Sequence, residues 1–423
     1  MGTRIGAIFC LLFVLCAGAG ARDAPHGPAG PRIDANLRVY DFTRAYRGAP
    51  ADQRAFDAGV ALGAHSGALM GWSLGAVFYA THPLGSGDAN PALVDATLAG
   101  YSPIAVLGQA FLQYRVRHLL VRAGDQLIRT PWINPGDSRL VPAAYRALVA
   151  VSQPLAGLCI EALWLTAFKS RTSNAFTPTD LYNASGTLNV GGAGGLADRT
   201  ERGATAFGVV YRDALNRAKA WAYAFTDLAD LVILQERHDF GRHDWHPFVG
   251  GQWIRETADG ARYLGAVNAT AYGAMLGVAR RGIEFSVRYN DIPAHPGAFA
   301  GGGVVSPYTS GYGTDPLYTT TMSQSLVDQQ APGHAVALRL QGLFRRRSVR
   351  LGMGYARYGG APAGLAPASG SSAVDFDVAY YFRGPLRGLS MRDRVAMIDS
   401  VSATDRFIYN RFMFQYRIGT KAL

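Results

Sequence analysis

The chain has 423 residues, of which 41 are lysine or arginine, 30 are aspartate or glutamate and 51 are glycine. Charged residues make up 17%, below the roughly 25% of soluble globular proteins, and an aromatic content of 11% is too high for a disordered chain. The mean hydropathy of +0.04 is too low for a polytopic helical membrane protein, which needs repeated apolar runs of about 20 residues. The length suits two or three soluble domains or one large membrane barrel.

Residues 1–21 are predicted to be a cleaved signal peptide. One basic residue, Arg4, precedes an apolar run, and the segment closes on the small residues 19–21, which a signal peptidase accepts. Two of the three cysteines leave with this peptide, so the mature chain keeps only Cys159 and can form no internal disulfide. We expect residues 22–423 to form a single exported domain.

The net positive charge comes almost entirely from arginine, because the chain contains only three lysines, Lys169, Lys219 and Lys421. A planar guanidinium suits carboxylates in particular; codon bias toward arginine, alanine and glycine is the alternative explanation. Nucleic acid is not expected as a partner. No run dense in basic residues is interleaved with aromatics, and the triplet 345–347 stands alone in a predicted turn.

Alternation of apolar and polar residues over about ten positions predicts transmembrane β-strands. In 373–383, for example, Val374, Phe376 and Val378 alternate with Asp375 and Asp377. The polar faces carry mostly arginine, glycine, serine and tyrosine, which suits a lumen. Eighteen strands are predicted: 36–43, 56–65, 68–80, 105–116, 118–127, 142–152, 156–168, 204–212, 218–226, 246–255, 261–269, 273–280, 283–290, 334–344, 348–358, 373–383, 389–398 and 407–418.

Short and long connections alternate along the chain. Short ones include 280–282, 345–347 and 384–388, and long ones include 83–103, 169–203 and 291–333. Short turns at one rim and long loops at the other are typical of a bacterial outer-membrane barrel. We therefore predict an all-β fold: a single antiparallel barrel of about 18 strands with short periplasmic turns, long extracellular loops and room for an aqueous channel.

A glycine every four residues, from Gly59 to Gly75, allows a different interpretation. Such a ladder is typical of packed transmembrane helices and leaves a helical inner-membrane protein as an alternative. A period of four is also a multiple of two, so the glycines would equally share one face of two strands. Strands are preferred, because one spanning helix would leave the other strand patterns unexplained.

Three further patterns could indicate chemistry. Residues 71–75 match the G-x-S-x-G motif around Ser73, but no helix is predicted to follow. The glycines of 192–195 lack the strand and helix that frame a phosphate loop. The histidine cluster, predicted to be a surface loop and not a metal site, comprises His238, Asp239, His243, Asp244 and His246. We predict no catalytic residue, metal or cofactor; an outer-membrane β-barrel hydrolase is the alternative function.

Three stretches resemble the OprD-type outer-membrane porins. They are LGQAFLQYRVRHLLVRAGDQLIRTPWINPGDSRLVPAAYRAL (107–148), YTSGYGTDPLYTT (308–320) and YYFRGPLRGLSMRDRVAM (380–397). The resemblance implies an 18-stranded, substrate-selective channel for small carboxylate-bearing solutes, such as amino acids, peptides and organic or aromatic acids. It also implies a third extracellular loop that folds inward to narrow the pore with help from the seventh loop, and a wall lined by a ladder of arginines.

Site residues follow from the motif and from strand alternation. The resemblance places Trp132, Asn134, Asp137, Ser138 and Arg139 in the constricting third loop and the segment 314–317 in the seventh. Asp137 and Arg139 would present both charges to a zwitterionic solute, or would form a local ion pair that shapes the loop. Alternation predicts pore-lining residues, about half of them bracing the wall: Arg115, Arg117, Arg122, Arg146, Arg288, Arg339, Arg350, Arg392, Arg394, Arg411, Glu284, Asp375 and Asp377.

The sequence thus predicts an outer-membrane porin that passes small carboxylate-bearing solutes by facilitated diffusion, with an arginine-lined wall that attracts anions. The expected partners are small anionic or zwitterionic solutes, outer-membrane lipid and lipopolysaccharide, and the barrel-assembly machinery. The protein is expected to be a monomer or a weak oligomer. One residue, Asp393, interrupts the apolar face of the predicted strand 389–398 and leaves the register of that strand open.

Overall fold

The computed structural model describes residues 30–48, 51–85, 90–182, 203–241, 244–344, 348–360, 370–400 and 406–419. The predicted signal peptide, the glycines of 192–195, His243 and the triplet 345–347 lie outside these residues. The described strands are β1 (Arg32–Tyr46), β2 (Gln53–His65), β3 (Trp72–Pro83), β4 (Ala105–Val116), β5 (Leu119–Gln126), β6 (Ala144–Leu155), β7 (Leu158–Lys169), β8 (Ala204–Arg212), β9 (Asn216–Phe225), β10 (Ala229–Asp239), β11 (Trp245–Ala258), β12 (Asn268–Arg280), β13 (Ile283–Ile292), β14 (Gly333–Phe344), β15 (Val349–Gly359), β16 (Ser371–Tyr381), β17 (Leu389–Asp399) and β18 (Phe407–Ile418). Short 3₁₀ turns occur at Pro91–Leu93, Phe299–Gly302 and Gly384–Leu386.

The strands form one closed antiparallel sheet. Each strand pairs with its neighbours in sequence, and β1 pairs with β18, where Val39 faces Phe414, so the sheet has no free edge. The predicted all-β barrel is confirmed. No helix among the described residues is long and apolar enough to cross a membrane.

Alternation fixes the two faces of the wall. In β13, Phe285 and Tyr289 are exposed on the outside, while Ser286 and Asn290 are fully buried on the lumen side. The glycine ladder obeys the same rule: Gly59 and Gly63 face inward from β2 and Gly75 from β3, so the alternative of a packed helix is wrong. Small side chains are required there, because a Cβ atom on Gly75 would lie 2.4 Å from the Phe111 ring.

The predicted number of 18 strands is correct although two assignments are wrong, because one predicted strand is absent and one observed strand was not predicted. The predicted strand 261–269 is mostly a turn, in which the N–H of Gly265 donates to the carbonyl of Arg262. Conversely, β10 was not predicted. Leu231 and Ile233 of β10 are buried inward while Val232 and Leu234 are exposed outward, so both faces are apolar and the alternation disappears.

The register of β17 is the predicted one, and Asp393 faces outward. Its carboxylate accepts a hydrogen bond of 2.7 Å from the side-chain amide of Asn410 on β18. Arg392 and Arg394, the residues before and after Asp393, face the lumen together with Ala396. A carboxylate on the outer face thus has a polar partner and does not shift the strand.

The longest connections occur at one end of the barrel. We call them L2 (84–104), L3 (127–143), L4 (170–203) and L7 (293–332). Two-residue turns at 117–118, 156–157 and 281–282 lie at the opposite end. L3 crosses the lumen, because Asp137 contacts Arg38 on β1 while the N–H of Trp132 donates to the Tyr223 hydroxyl on β9, half-way around the sheet.

L3 and L7 fill part of the barrel with an apolar core. Trp132 and Ile133 of L3, Tyr308 of L7 and the inward side chains of β9 and β10 belong to one buried cluster. Burial of these large side chains stabilises the inward position of the loops. Part of the lumen is therefore a hydrophobic core, and L3 borders the cavity that remains.

The constriction and the arginine-lined cavity

The tip of L3 is a rigid turn. Pro131 and Pro135 restrict its backbone, and Gly136 adopts a φ of 50°, in the left-handed region that favours glycine. The Asn134 side chain accepts a hydrogen bond of 3.1 Å from the N–H of Gly136, and the Tyr145 hydroxyl donates to the Asn134 carbonyl at 2.6 Å. The local sequence and one hydrogen bond from β6 thus define the shape of the tip.

An ion pair holds the tip against β1. The guanidinium of Arg38 donates to both carboxylate oxygens of Asp137, at 2.6 and 3.0 Å, and to the carbonyl of Arg139 at 2.6 Å. Burial alone would raise the pKa of Asp137, but the charge of Arg38 and its hydrogen bonds lower that pKa below the ordinary value. Asp137 is therefore a carboxylate whose charge is already compensated within the protein.

L7 packs behind L3 and is tied to the wall. The side-chain amide of Asn134 donates to the Thr314 carbonyl at 3.1 Å, which joins the two loops. Arg339 on β14 donates to the Thr320 carbonyl at 2.6 Å, and Asp375 on β16 accepts from the N–H of Met322 at 2.7 Å. Arg339 and Asp375 thus face inward, and both hold L7 in place.

The five residues predicted for the constriction have different environments. Trp132 is completely buried in the core, and Asn134 joins L3 to L7. Asp137 is the most exposed of the five, and Ser138 is half-buried. Arg139 is buried and donates to the Thr97 carbonyl of L2 at 2.9 Å. Asp137 and Arg139 thus form no ion pair with each other; Asp137 is bonded to β1 and Arg139 to L2.

Beneath L3 lies a cavity of about 650 Å³ whose charge is predominantly positive. Asp34, Asp137 and Glu161 supply its carboxylates. Its six arginines are Arg32, Arg38, Arg115, Arg117, Arg122 and Arg129. Three of these, Arg115, Arg117 and Arg122, were predicted to line the pore. The other three were missed: Arg32 and Arg38 extend the inward face of β1, where alternation could have found them, whereas Arg129 belongs to L3 and follows no strand pattern.

Most of the other predicted arginines face inward but are engaged with carboxylates or loops. On β15 and β17, Arg350, Arg392 and Arg394 surround Asp377 of β16, with N–O distances of 2.9, 2.5 and 3.8 Å. Arg288 lies 3.5 Å from Glu284 on the same strand. Arg411 of β18 contacts the Tyr409 hydroxyl and the Phe42 ring. These groups brace the wall.

Arg146 was predicted to line the pore, and this is wrong. Its register partner on β5 is Asp125, and the two form an ion pair of 2.8 Å on the outer face, where the Arg146 side chain is 55% exposed. Tyr145 and Ala147 on either side are buried. Alternation in β6 is regular, with Tyr145, Ala147 and Val149 inward and Arg146 and Leu148 outward. Both faces are largely apolar, so assigning the single arginine to the lumen face chose the wrong face.

The motifs considered for chemistry lie in ordinary strands. Ser73 lies within β3, whereas a nucleophile elbow needs a sharp strand-to-helix turn. His238 lies in β10, where its ring Nδ1 is 2.7 Å from the Asn216 side chain, so the predicted surface loop is wrong at that residue. His246 is the second residue of β11, and its ring Nδ1 lies 3.1 Å from the Gly241 carbonyl oxygen.

Comparison with known proteins agrees with this architecture. Residues 33–300 match the family described as outer membrane porin, OprD family. No curated protein matches the sequence. Solved structures with a similar fold include OccK9 (OpdG) of Pseudomonas aeruginosa, with 20% identity, a TM-score of 0.77 and coverage of 92% of this chain and 98% of that one.

Two further structures show the same fold. A BenF-like porin from Pseudomonas fluorescens Pf-5 has 17% identity, a TM-score of 0.78 and coverage of 92% and 99% of the two chains. OccK2 (OpdF) of Pseudomonas aeruginosa, solved in complex with glucuronate, has 16% identity, a TM-score of 0.75 and coverage of 92% and 98%. The family match spans more than half of the sequence, and the 18-stranded barrel is shared. The chain therefore belongs to the OprD family of outer-membrane porins.

Proposed function

We propose that this porin passes small carboxylate-bearing solutes by facilitated diffusion through the cavity beneath L3. The observation that carries the proposal is the charge of that cavity, whose lining contains six arginines and three carboxylates. One of the carboxylates, Asp137, is already paired with Arg38. The similar porin OccK2 was solved with glucuronate, a solute of the same chemical class, which supports this choice.

A solute would be selected in two ways. The L3 tip limits its size, because the tip is fixed by prolines and by its bonds to β1 and L7. The cavity arginines attract the carboxylate, and a row of guanidiniums allows an anion to exchange partners without full dehydration. No reaction and no energy coupling are involved. We also expect removal of residues 1–21 on export, assembly by the barrel-assembly machinery, and contact with lipopolysaccharide on the outer face.

The test is conductance of the refolded mature protein in a planar bilayer. Under a salt gradient the reversal potential should show anion preference, and glucuronate or benzoate added on one side should block or shift the openings. Replacing Arg115, Arg117 and Arg122 together by glutamine should reduce the anion preference several-fold. A pore that prefers cations, or one on which these acids have no effect, would contradict the proposal.

Arg146→Gln is the matched control. It removes one positive charge from β6 on the outer face, so it should leave the reversal potential unchanged. If Arg146→Gln changed selectivity as much as a single lumen substitution such as Arg122→Gln, the selectivity would reflect net charge and not the cavity.

A further inference from the structure

Four arginines in the described strands point outward from the wall near the rim that carries the long loops, and three of them have partners. Arg54 on β2 and Arg146 on β6 each pair with a carboxylate at 2.8 Å. Arg255 on β11 donates to a carbonyl and a hydroxyl of β12, both at 3.1 Å. The fourth, Arg357 on β15, is exposed and has no hydrogen-bond or ion-pair partner among the residues that the structure describes. Its charge is therefore available to a ligand on the outer face.

Arg357 borders a depression of about 410 Å³ on the outer face, where β14 and β15 reach the rim. His334 on β14 lines it as well, and its ring packs over two glycines of β15 and its end: a Cβ atom on Gly359 would lie 2.8 Å from Nε2, and one on Gly360 would lie 3.2 Å from Nδ1. Ser372 on β16 is the register partner of Arg357 and lies on the same face. The described residues that line the depression include no carboxylate, so its donors suit an anion.

Toward the middle of the membrane, the outer face next to this depression is apolar. Val336 and Leu338 on β14, and Met353 and Tyr355 on β15, are exposed on that face. Leu338 and Tyr355 are register partners, and they follow directly below the pair formed by Val336 and Arg357. Such side chains belong to the apolar band of a membrane barrel. Polar donors at the rim thus lie directly above a surface for hydrocarbon chains, which is the arrangement that an anionic lipid requires.

We propose that this depression binds a phosphate group of the lipid A part of lipopolysaccharide, with Arg357 and His334 as donors and the acyl chains against Leu338 and Tyr355. A free guanidinium donates two parallel hydrogen bonds to a phosphate, whereas one that is paired with a carboxylate has used those donors. The rim with the long loops is the extracellular one in this class of barrel, and lipopolysaccharide is the phosphate-bearing lipid of that leaflet. The inference rests on the lipopolysaccharide contact of the proposed function and assigns residues to it.

The test is native mass spectrometry of the refolded mature protein in detergent, titrated with diphosphoryl lipid A. Arg357→Gln should weaken the first binding step about ten-fold, because charge-assisted hydrogen bonds to the phosphate are lost. The matched control is Arg54→Gln, which removes the same charge near the same rim from an arginine that is already paired with Asp41. This control should bind lipid A as the parent protein does. Equal affinities of the parent protein and Arg357→Gln would overturn the proposal.

Two further lipids identify the group that is recognised. Dephosphorylated lipid A should bind the parent protein and Arg357→Gln equally weakly. Phosphatidylglycerol should bind more weakly than diphosphoryl lipid A; if it bound as tightly and lost as much affinity in Arg357→Gln, the site would accept any anionic lipid and the assignment would be wrong.

Conductance separates this inference from the proposed function. Because Arg357 faces the lipid, Arg357→Gln should keep the reversal potential of the parent protein. Anion preference without a lipid A site would overturn only the inference, and a lipid A site on a pore that prefers cations would overturn only the proposed solute selectivity.

Discussion

Each arginine in the lumen has a role that depends on whether a carboxylate of the protein lies within reach. Around Asp377, three arginines from β15 and β17 share one carboxylate, and they act mainly as braces. Arg122 beneath L3 instead contacts the neutral Gln113 side chain and the Phe111 ring, so its charge is not neutralised by those partners. A solute carboxylate should bind more strongly to arginines such as Arg122 than to arginines that are already paired with a carboxylate of the protein.

The pair formed by Arg38 and Asp137 yields a prediction at this scale. Asp137→Asn leaves the buried Arg38 guanidinium without its ionic partner, and we expect a loss of about 1–3 kcal/mol in the free energy of unfolding. The matched control is Asp125→Asn, which breaks the exposed pair with Arg146 and should cost about 1 kcal/mol at most. Urea unfolding at pH 7 measures both. Equal losses in the two variants would show that L3 is not held by this pair.

The same pair predicts a dependence on pH. Because the pKa of Asp137 is lower in the folded protein, its contribution to stability is fully present above the unfolded value of about 3.9. The contribution is lost as the pH falls through the lower folded pKa. The stability difference between the parent protein and Asp137→Asn should therefore be constant from pH 8 to about pH 5 and should shrink below pH 4. A difference that is unchanged at pH 3 would contradict this assignment.

At the scale of whole elements, L3 and L7 respond to pH in opposite directions. Asp315 in L7 is buried, with its carboxylate accepting bonds from the Thr320 hydroxyl at 2.6 Å and the Leu317 N–H at 3.1 Å. Burial raises the pKa of Asp315, and hydrogen bonds from hydroxyl and N–H groups offset only part of that effect. Its contribution to stability is present below the unfolded value of about 3.9 and is lost as the pH rises through the folded pKa.

We therefore expect L7 to loosen as the pH rises and Asp315→Asn to reduce this effect. Asp328 of the same loop, whose pKa burial and the charge of Asp315 raise to about 7, contributes the remainder. Hydrogen exchange of L7 should be measured in both proteins from pH 5 to pH 8. The ratio of their rates at each pH cancels the intrinsic dependence of exchange on pH, and the parent protein should exchange relatively faster toward pH 8. Asp244→Asn, in the exposed turn before β11, should give a constant ratio. A constant ratio for Asp315→Asn as well would refute the expectation.

The inward loops also explain which elements could be predicted from the sequence. Where the inward side chains are polar or small, as along β13 and β15, the strands alternate and were predicted within about two residues. Where the apolar cluster of L3 and L7 packs against the wall, the inward face is apolar. There β10 loses its alternation, and the inward face of β1 changes from polar to aromatic at Tyr40 and Phe42. Asp137 and Arg139 contact Arg38 and Thr97, which are 99 and 42 residues away in the chain, and a local pattern does not contain such contacts.

At the scale of the whole molecule, the even number of strands and the pairing of β1 with β18 place the start of β1 and the end of β18 at the same rim. That rim carries the two-residue turns, and L3 and L7 emerge from the other. Outer-membrane barrels have short periplasmic turns and longer extracellular loops. Solutes should therefore meet the constriction of L3 and L7 before the arginine-lined cavity, which lies on the periplasmic side of L3.

This orientation can be tested with β12 alone, because its two ends lie at opposite rims. An epitope inserted after Arg262, in the turn before β12, should bind antibody on intact cells. The same epitope inserted after Arg281, in the two-residue turn that follows β12, should bind only after the outer membrane is permeabilised. As a check of folding, both insertion variants should keep the heat-modifiable electrophoretic mobility of the folded barrel. Labelling of intact cells at Arg281 and not at Arg262 would show that the barrel has the opposite orientation in the membrane. Solutes would then reach the cavity before the constriction.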